Sequence, residues 1–333
     1  MWAYASRLKQ CTHTATRGKG ASDLSKSARR QSRRIAHQGR AGLRTGDMGG
    51  GYTYDFGRLF ESDPVGRSKH EATVFMLHGL GDTGDGWSFA GNQLRIPGVR
   101  WVYPTAPTRP ISCNGGMPMP GWFDIKNLPL DASALDEGGA VSKSDLDRHV
   151  DGSGVEESVR YLLDLVRKEV EERKIPAEKI VLGGFSQGGH VVARAALECD
   201  LPIAGCVVLS SWVGHPAAGG VKRRLPFFVG HGEADPMVPA VLAKKSDDLL
   251  RSLGHDVTFR TYAGVGHSCN MEELDDLKDF LVDCLEDKAA LPPMEEAASL
   301  SAGKLKQLLV SRGVDVTGCL EKGDLVEKLK SLY

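Results

Sequence analysis

The stretch that most limits how this chain can fold is residues 179–189, Lys-Ile-Val-Leu-Gly-Gly-Phe-Ser-Gln-Gly-Gly. A short apolar run leads into a Gly-x-Ser-x-Gly pentapeptide, residues 184–188, and a helical stretch follows in which Val191, Val192, Ala195 and Ala196 recur at helical spacing. A backbone that passes from strand to helix through one serine must turn sharply, and Gly184 and Gly188 leave room for that turn. Such an elbow lifts the Ser186 hydroxyl above the sheet edge and aims the unpaired N–H groups of a helix N-terminus at the reacting centre.

The surroundings fit that turn. Between residues 71 and 287, apolar runs at 72–77, 100–103, 179–182, 203–209, 226–230 and 257–262 alternate with helical stretches at 155–173, 189–198, 240–253 and 271–285. This predicts an α/β protein of the α/β-hydrolase fold, a mostly parallel sheet with helices on both faces. Residues 126–153 break the rhythm and read either as a solvated loop or as a lid over a substrate groove. A length of 333 residues with 41% hydrophobic and 26% charged residues suits one such domain plus appendages. The longest apolar runs fall far short of the roughly 18–20 residues that cross a bilayer, so a soluble chain is expected. Seven scattered cysteines (Cys11, Cys113, Cys199, Cys206, Cys269, Cys284 and Cys319) form no CxxC pair, and no secretory segment opens the sequence. A reducing compartment and no structural metal are expected.

A serine hydroxyl needs a base to take its proton and a carboxylate to hold that base in the right tautomer. In this fold the three follow in the order serine, acid, histidine. The histidines after Ser186 are His190, His215, His231, His255 and His267. His190 lies in the elbow helix and His231 precedes the expected acid, whereas His267 sits in a glycine-rich loop directly after an expected strand. His267 is therefore the candidate base. The loop after the preceding strand supplies Asp235, set before a proline, as the acid, with Glu233 as the fallback; Asp247, Asp248 and Asp256 read as solvated charges. Two N–H donors must meet the oxyanion. The backbone of Gln187 is one, and Leu80, in the glycine-rich loop at residues 77–84, is the other, with His78 holding that loop rather than acting as a base.

Residues 77–84 (Leu-His-Gly-Leu-Gly-Asp-Thr-Gly), 104–107 (Pro-Thr-Ala-Pro), 122–124 (Trp-Phe-Asp), 184–189 (Gly-Phe-Ser-Gln-Gly-Gly) and 264–268 (Gly-Val-Gly-His-Ser) together resemble the acyl-protein thioesterase family, also called the phospholipase/carboxylesterase family. The resemblance spans residues 71–285. It implies hydrolysis of palmitoyl-cysteine thioesters, lysophospholipids or small carboxyl esters without a cofactor, and gives the same triad and the same oxyanion donors. It also implies that the segment around Met117 and Trp122 lines an acyl groove, against the plainer reading of buried loop packing. The implied partners are an acylated protein or a lipid or ester substrate, with transient contact at a membrane surface; the oligomeric state is left open. The rival class is a non-catalytic α/β-hydrolase body tethered to nucleic acid or a protein.

The ends read differently from the body. A net charge of −1 conceals a basic head: residues 1–46 carry eleven Lys or Arg and one acid, Asp23. Residues 1–47 are a basic disordered leader, a transit-like segment, or a stretch lost if the chain starts at Met48. Cytoplasmic location is expected, or mitochondrial or plastid location if the head directs import. Residues 48–287 form the catalytic domain, 288–296 a linker, and 297–333 a small helix-extension-helix unit that resembles a SAP motif. Six basic against four acidic residues from Leu300 onward make a weak phosphate footprint, so a protein-interaction module or helical cap is the stronger reading than nucleic-acid binding.

Overall fold

The computed structural model describes residues 53–66, 68–130, 149–214, 223–286, 294–311, 314 and 316–330. The basic head, residues 131–148 of the interrupted loop and most of the expected linker lie outside them. The chain divides into two compact units after Leu285.

In the first unit the strands are β1 (Phe60–Ser62), β2 (Ala72–Leu77), β3 (Val99–Tyr103), β4 (Thr108–Ile111), β5 (Met117–Pro120), β6 (Ile180–Phe185), β7 (Gly205–Leu209), β8 (Pro226–Gly232) and β9 (Asp256–Tyr262). Seven of them form one sheet in the order β1-β3-β2-β6-β7-β8-β9, parallel throughout except at the β1 edge, and β4 and β5 form a separate antiparallel pair. The helices are α1 (Gly84–Trp87), α2 (Phe89–Leu94), α3 (Gly152–Arg173), α4 (Gln187–Glu198), α5 (Ala240–Ser252) and α6 (Met271–Leu285). Each of the six expected strands and four expected helices corresponds to one of these, with ends moved by a few residues. α3 begins before the expected residue 155 because Asp151 caps it, accepting from the Ser153 amide at 3.1 Å.

The central strands are apolar throughout because both their faces are covered. Successive side chains alternate sides: Phe75, Leu182, Cys206 and Phe227 are register neighbours on one face, and Val74, Val181, Val207 and Phe228 serve the other. The first face packs under α3, α4 and α5 through residues such as Leu162, Val192 and Leu242. The second packs under α1, α2 and α6 through Trp87, Leu94, Leu277 and Leu281. One buried carboxylate of this core is well paired. Glu169 of α3 accepts from Thr73 at 2.6 Å and from Arg100 at 3.0 Å, so one buried carboxylate joins α3 to β2 and β3.

The second unit holds α7 (Met294–Ser299), α8 (Ala302–Ser311) and α9 (Lys322–Leu329) around Ala297, Leu305, Leu309, Leu325 and Leu329. The last two helices are those expected. The first corrects the expected linker, since Met294, Glu295, Glu296 and Ala297 are good helix formers and Ala297 is buried in the small core. Gly313, expected to end α8, lies outside the described residues. Among the described residues, no helix is long and apolar enough to cross a membrane.

Candidate active site

Ser186 stands between β6 and α4 with φ 52° and ψ −119°, a positive-φ conformation that costs a non-glycine residue on the order of 1–3 kcal/mol. The surroundings hold it there. Its amide donates to the Leu209 carbonyl at 2.8 Å, and its own carbonyl accepts from the Ser211 hydroxyl at 2.6 Å. The flanking glycines allow the close approach: a β-carbon on Gly184 would lie 2.4 Å from the Gly188 carbonyl oxygen, and one on Gly188 would lie 2.6 Å from the Leu77 carbonyl oxygen.

β8 and β9 bring the other two candidates beside it. Asp235 follows β8 and His267 follows β9, and the two loops are stitched together by Glu233 N–H to the Tyr262 carbonyl (3.0 Å) and Ala234 N–H to the Val265 carbonyl (2.9 Å). His267 Nε2 lies 2.8 Å from Ser186 Oγ, and Nδ1 lies 2.7 Å from Asp235 Oδ2. Asp235 Oδ1 accepts from the amides of Met237 (2.8 Å) and Val238 (3.0 Å). Burial alone would raise the Asp235 carboxyl, but the hydrogen bond and charge of His267, with those two amides, outweigh it and hold the group below its ordinary value. An ionised carboxylate only accepts, so Nδ1 carries the proton and the Nε2 lone pair faces the serine hydroxyl.

The other sequence candidates fall into place around this chain of contacts. Glu233 is exposed and accepts from Thr261 Oγ1 at 2.8 Å, so it does not meet His267. His231 is buried, its Nε2–H donating to the Val238 carbonyl at 2.8 Å, and burial lowers its pKa. His190 is buried in α4 with Nδ1 3.2 Å from the Trp212 carbonyl, and burial takes it down to about 4.

The Leu80 loop runs along the other side of the serine. His78 is fully buried, donates from Nδ1 to the Gly79 carbonyl at 2.7 Å and accepts at Nε2 from the Ala106 amide at 3.0 Å. With both nitrogens engaged and burial taking it down to about 4, it is a neutral strut for the loop. Gln187 opens α4, where a first-turn amide has no helical partner. Among the described residues, no backbone carbonyl accepts from the amides of Leu80 or Gln187.

The groove expectation needs a correction. Trp122 is 0% exposed, with its indole N–H donated to the His78 carbonyl at 2.8 Å and its amide to Gln187 Oε1 at 2.8 Å. It packs the loop and lines no groove, because its ring is enclosed on every side. Met117 is 62% exposed at one end of β5. It is Met119 that lies against the glycine loop: a β-carbon on Gly81 would sit 3.7 Å from its sulfur, and Gly81 N–H donates to the Pro120 carbonyl at 2.8 Å. The β4–β5 hairpin that brings Met119 there was not foreseen. The Gln187 side chain, which also donates to the Phe123 carbonyl at 2.6 Å, ties the Trp122 segment to the elbow. The interrupted loop is anchored at its base by the Ile125–Val150 bridge and by Leu130 N–H to the Met237 carbonyl at 3.0 Å, directly beside the acid.

A strained serine at a strand-to-helix turn, a histidine with its lone pair on that serine and a buried carboxylate behind the histidine define an α/β-hydrolase site. Residues 65–285 match the model of the phospholipase/carboxylesterase family, and the chain belongs to that family. Acyl-protein thioesterase 1 of Gibberella zeae is 43% identical over 237 residues, covering 68% of this chain and 93% of that protein. Acyl-protein thioesterase 1 of Neurospora crassa is 40% identical over 232 residues, covering 66% and 89%. The crystal structure of Zea mays acyl-protein thioesterase 2 matches with a TM-score of 0.56 at 29% identity, covering 69% of this chain and 100% of that one. The protein is a serine hydrolase acting on thioesters or esters, and a non-catalytic role for the body is not favoured. Residues 291–333 match a model described as an E3 ubiquitin-protein ligase rififylin-like domain, a likeness other than the SAP motif that this stretch resembles in sequence.

Proposed function

We propose that the protein removes acyl chains from acylated cysteines of other proteins, with Ser186 as nucleophile, His267 as base, Asp235 as its orienting acid, and the amides of Leu80 and Gln187 as the oxyanion hole. The observation that carries this reading is the unbroken line from Ser186 Oγ through His267 to Asp235, with contacts of 2.8 and 2.7 Å. His267 Nε2 takes the hydroxyl proton as Ser186 attacks the thioester carbonyl, and the charge that develops on oxygen meets the two amides, each worth about 3–4 kcal/mol in comparable sites. Collapse of the tetrahedral intermediate breaks the carbon–sulfur bond, and the imidazolium returns its proton to the leaving thiolate. Water, activated by the same imidazole, then attacks the acyl-serine and releases a carboxylic acid. Each half uses the base once in each direction, so the site returns to its starting state.

The test is a direct comparison of substrates. A fluorophosphonate probe is expected to label Ser186, and Ser186→Ala should abolish both labelling and turnover. Wild-type protein should turn over a palmitoyl-cysteine peptide faster than lysophosphatidylcholine. Labelled protein that prefers the lysophospholipid would reassign the substrate, and folded protein that resists the probe would remove Ser186 as nucleophile.

A further inference from the structure

Phe185, the residue before the nucleophile, has no role in the steps above, yet its ring touches two parts of the site at once. Its centroid lies 4.9 Å from that of His267 with 47° between the planes. On another side, a β-carbon on Gly79, beside Leu80, would come within 3.2 Å of Phe185 Cδ1. Behind it stands Trp87 of α1 at 5.3 Å, itself 5.6 Å from Phe89 of α2. Phe185 ends β6, where the Ser186 amide is bonded to the Leu209 carbonyl of β7, and its half-buried ring stands with His267 on one side and Trp87 on another.

The geometry points to Phe185 as a positioning residue that holds the His267 ring in line with Ser186 and places an aromatic ring beside the imidazolium that forms in the reaction. The inference rests on His267 acting as the base. An aromatic ring attracts a cation within about 6 Å of its centroid, by roughly 0.5–1 kcal/mol where water has access. Imidazolium forms only as the reaction proceeds, so this attraction acts on the transition state. The titratable groups that face the imidazole are Ser186 of the elbow, Asp235 at Nδ1, and His231 at the end of β8, whose Nε2 lies 3.5 Å from Asp235 Oδ2. None of them changes when Phe185 is replaced.

The decisive measurement is the pH profile of kcat/KM on a short p-nitrophenyl ester, for the full chain. Phe185→Leu keeps the apolar bulk and removes the ring; kcat should fall about 3-fold with KM unchanged, and the acid limb should move to lower pH by about half a pH unit. Phe185→Tyr should restore the wild-type limb. Pentafluorophenylalanine incorporated at position 185 keeps the shape, reverses the polarity of the face, and should move the limb in the same direction as leucine even if the leucine variant fails to fold. An unmoved acid limb with pentafluorophenylalanine, in protein still labelled at Ser186, overturns the inference and reduces Phe185 to packing. Loss of wild-type turnover and labelling would strike at the proposed triad instead, so the two failures are distinguishable.

Discussion

Asp235 and Glu273 are both buried carboxyls of the first unit, and their surroundings drive them in opposite directions. Asp235 lies in a loop that turns amides toward it, and a histidine N–H completes the set, so its charged form is favoured although burial opposes it. Glu273 sits in the first turn of α6, 0% exposed, among Leu274, Leu277, Phe280 and Phe228. Among the described residues neither of its oxygens has a donor at full hydrogen-bond geometry, and a β-carbon on Gly230 would lie 2.5 Å from Oε1, so it is pressed against the β8 backbone. Burial takes it from 4.5 up to about 7, outweighing what the Cys269 thiol and the Asn270 amide do to lower it, and the Asp276 charge adds to the rise. Burial thus does not fix the charge of a carboxyl; the donors it meets do. A loop can turn several N–H groups toward one oxygen, whereas a side chain on the apolar stripe of a helix meets hydrocarbon.

The largest effect that tests this contrast is on catalysis. Asp235→Asn keeps the shape but can hold the imidazole in the wrong tautomer, and kcat should fall about 10⁴-fold, as at other sites of this kind. Turnover within 10-fold of wild type, in protein with an unchanged far-UV spectrum, would show that the donors around Asp235 serve folding alone.

The next effect is on stability and follows from linkage. Glu273 holds its proton in the folded state up to about pH 7 but loses it near 4.5 when unfolded. Between those values the folded state binds more protons, so the group's contribution to stability falls as pH rises, and above about 7 the penalty is constant. Glu273→Gln, which cannot ionise, should therefore gain on the wild type by up to about 3 kcal/mol across that window and stay level outside it. Denaturant unfolding at pH 4.5, 6 and 8 measures the gain; a difference that does not change with pH would mean that its donors hold the Glu273 carboxyl at its ordinary value and break the contrast. Asp235 has the opposite sign: its depressed value adds stability above its unfolded value of 3.8, and that stability is lost on further acidification.

The two carboxyls were unequally legible from sequence. Asp235 could be reached because the order of nucleophile, acid and base is a topological property of the fold: each lies on the loop after a strand, and strands announce themselves as apolar runs. Glu273 carried a signal that went unread, since it stands at i, i+4, i+7 and i+8 with Leu277, Phe280 and Leu281, a charge on an otherwise apolar stripe. The hairpin of β4 and β5 was hidden for another reason. Its Pro110, Pro118 and Pro120 argue against strands in any central sheet, and this pair stands apart from one. Trp122 was left between two readings because an aromatic beside an expected groove looks the same in sequence whether it faces the groove or supports it. Only the hydrogen bonds of its indole and amide separate the two.

A third carboxyl sharpens the contrast from the opposite limit. Glu233 is two residues before Asp235, was the fallback acid, and shares its loop, but it is exposed and, among the described residues, its side-chain hydrogen bond comes from exposed Thr261. Water can replace that bond at little cost, and an exposed polar contact is worth well under 1 kcal/mol. Glu233→Ala should accordingly change kcat/KM less than about 2-fold and stability less than about 0.5 kcal/mol. The comparison with Asp235→Asn is made at the same pH and on the same ester. A loss above 10-fold in Glu233→Ala would mean that the carboxylate acts on His267 through the loop, so that position in sequence, and not the set of donors, decides which acid matters.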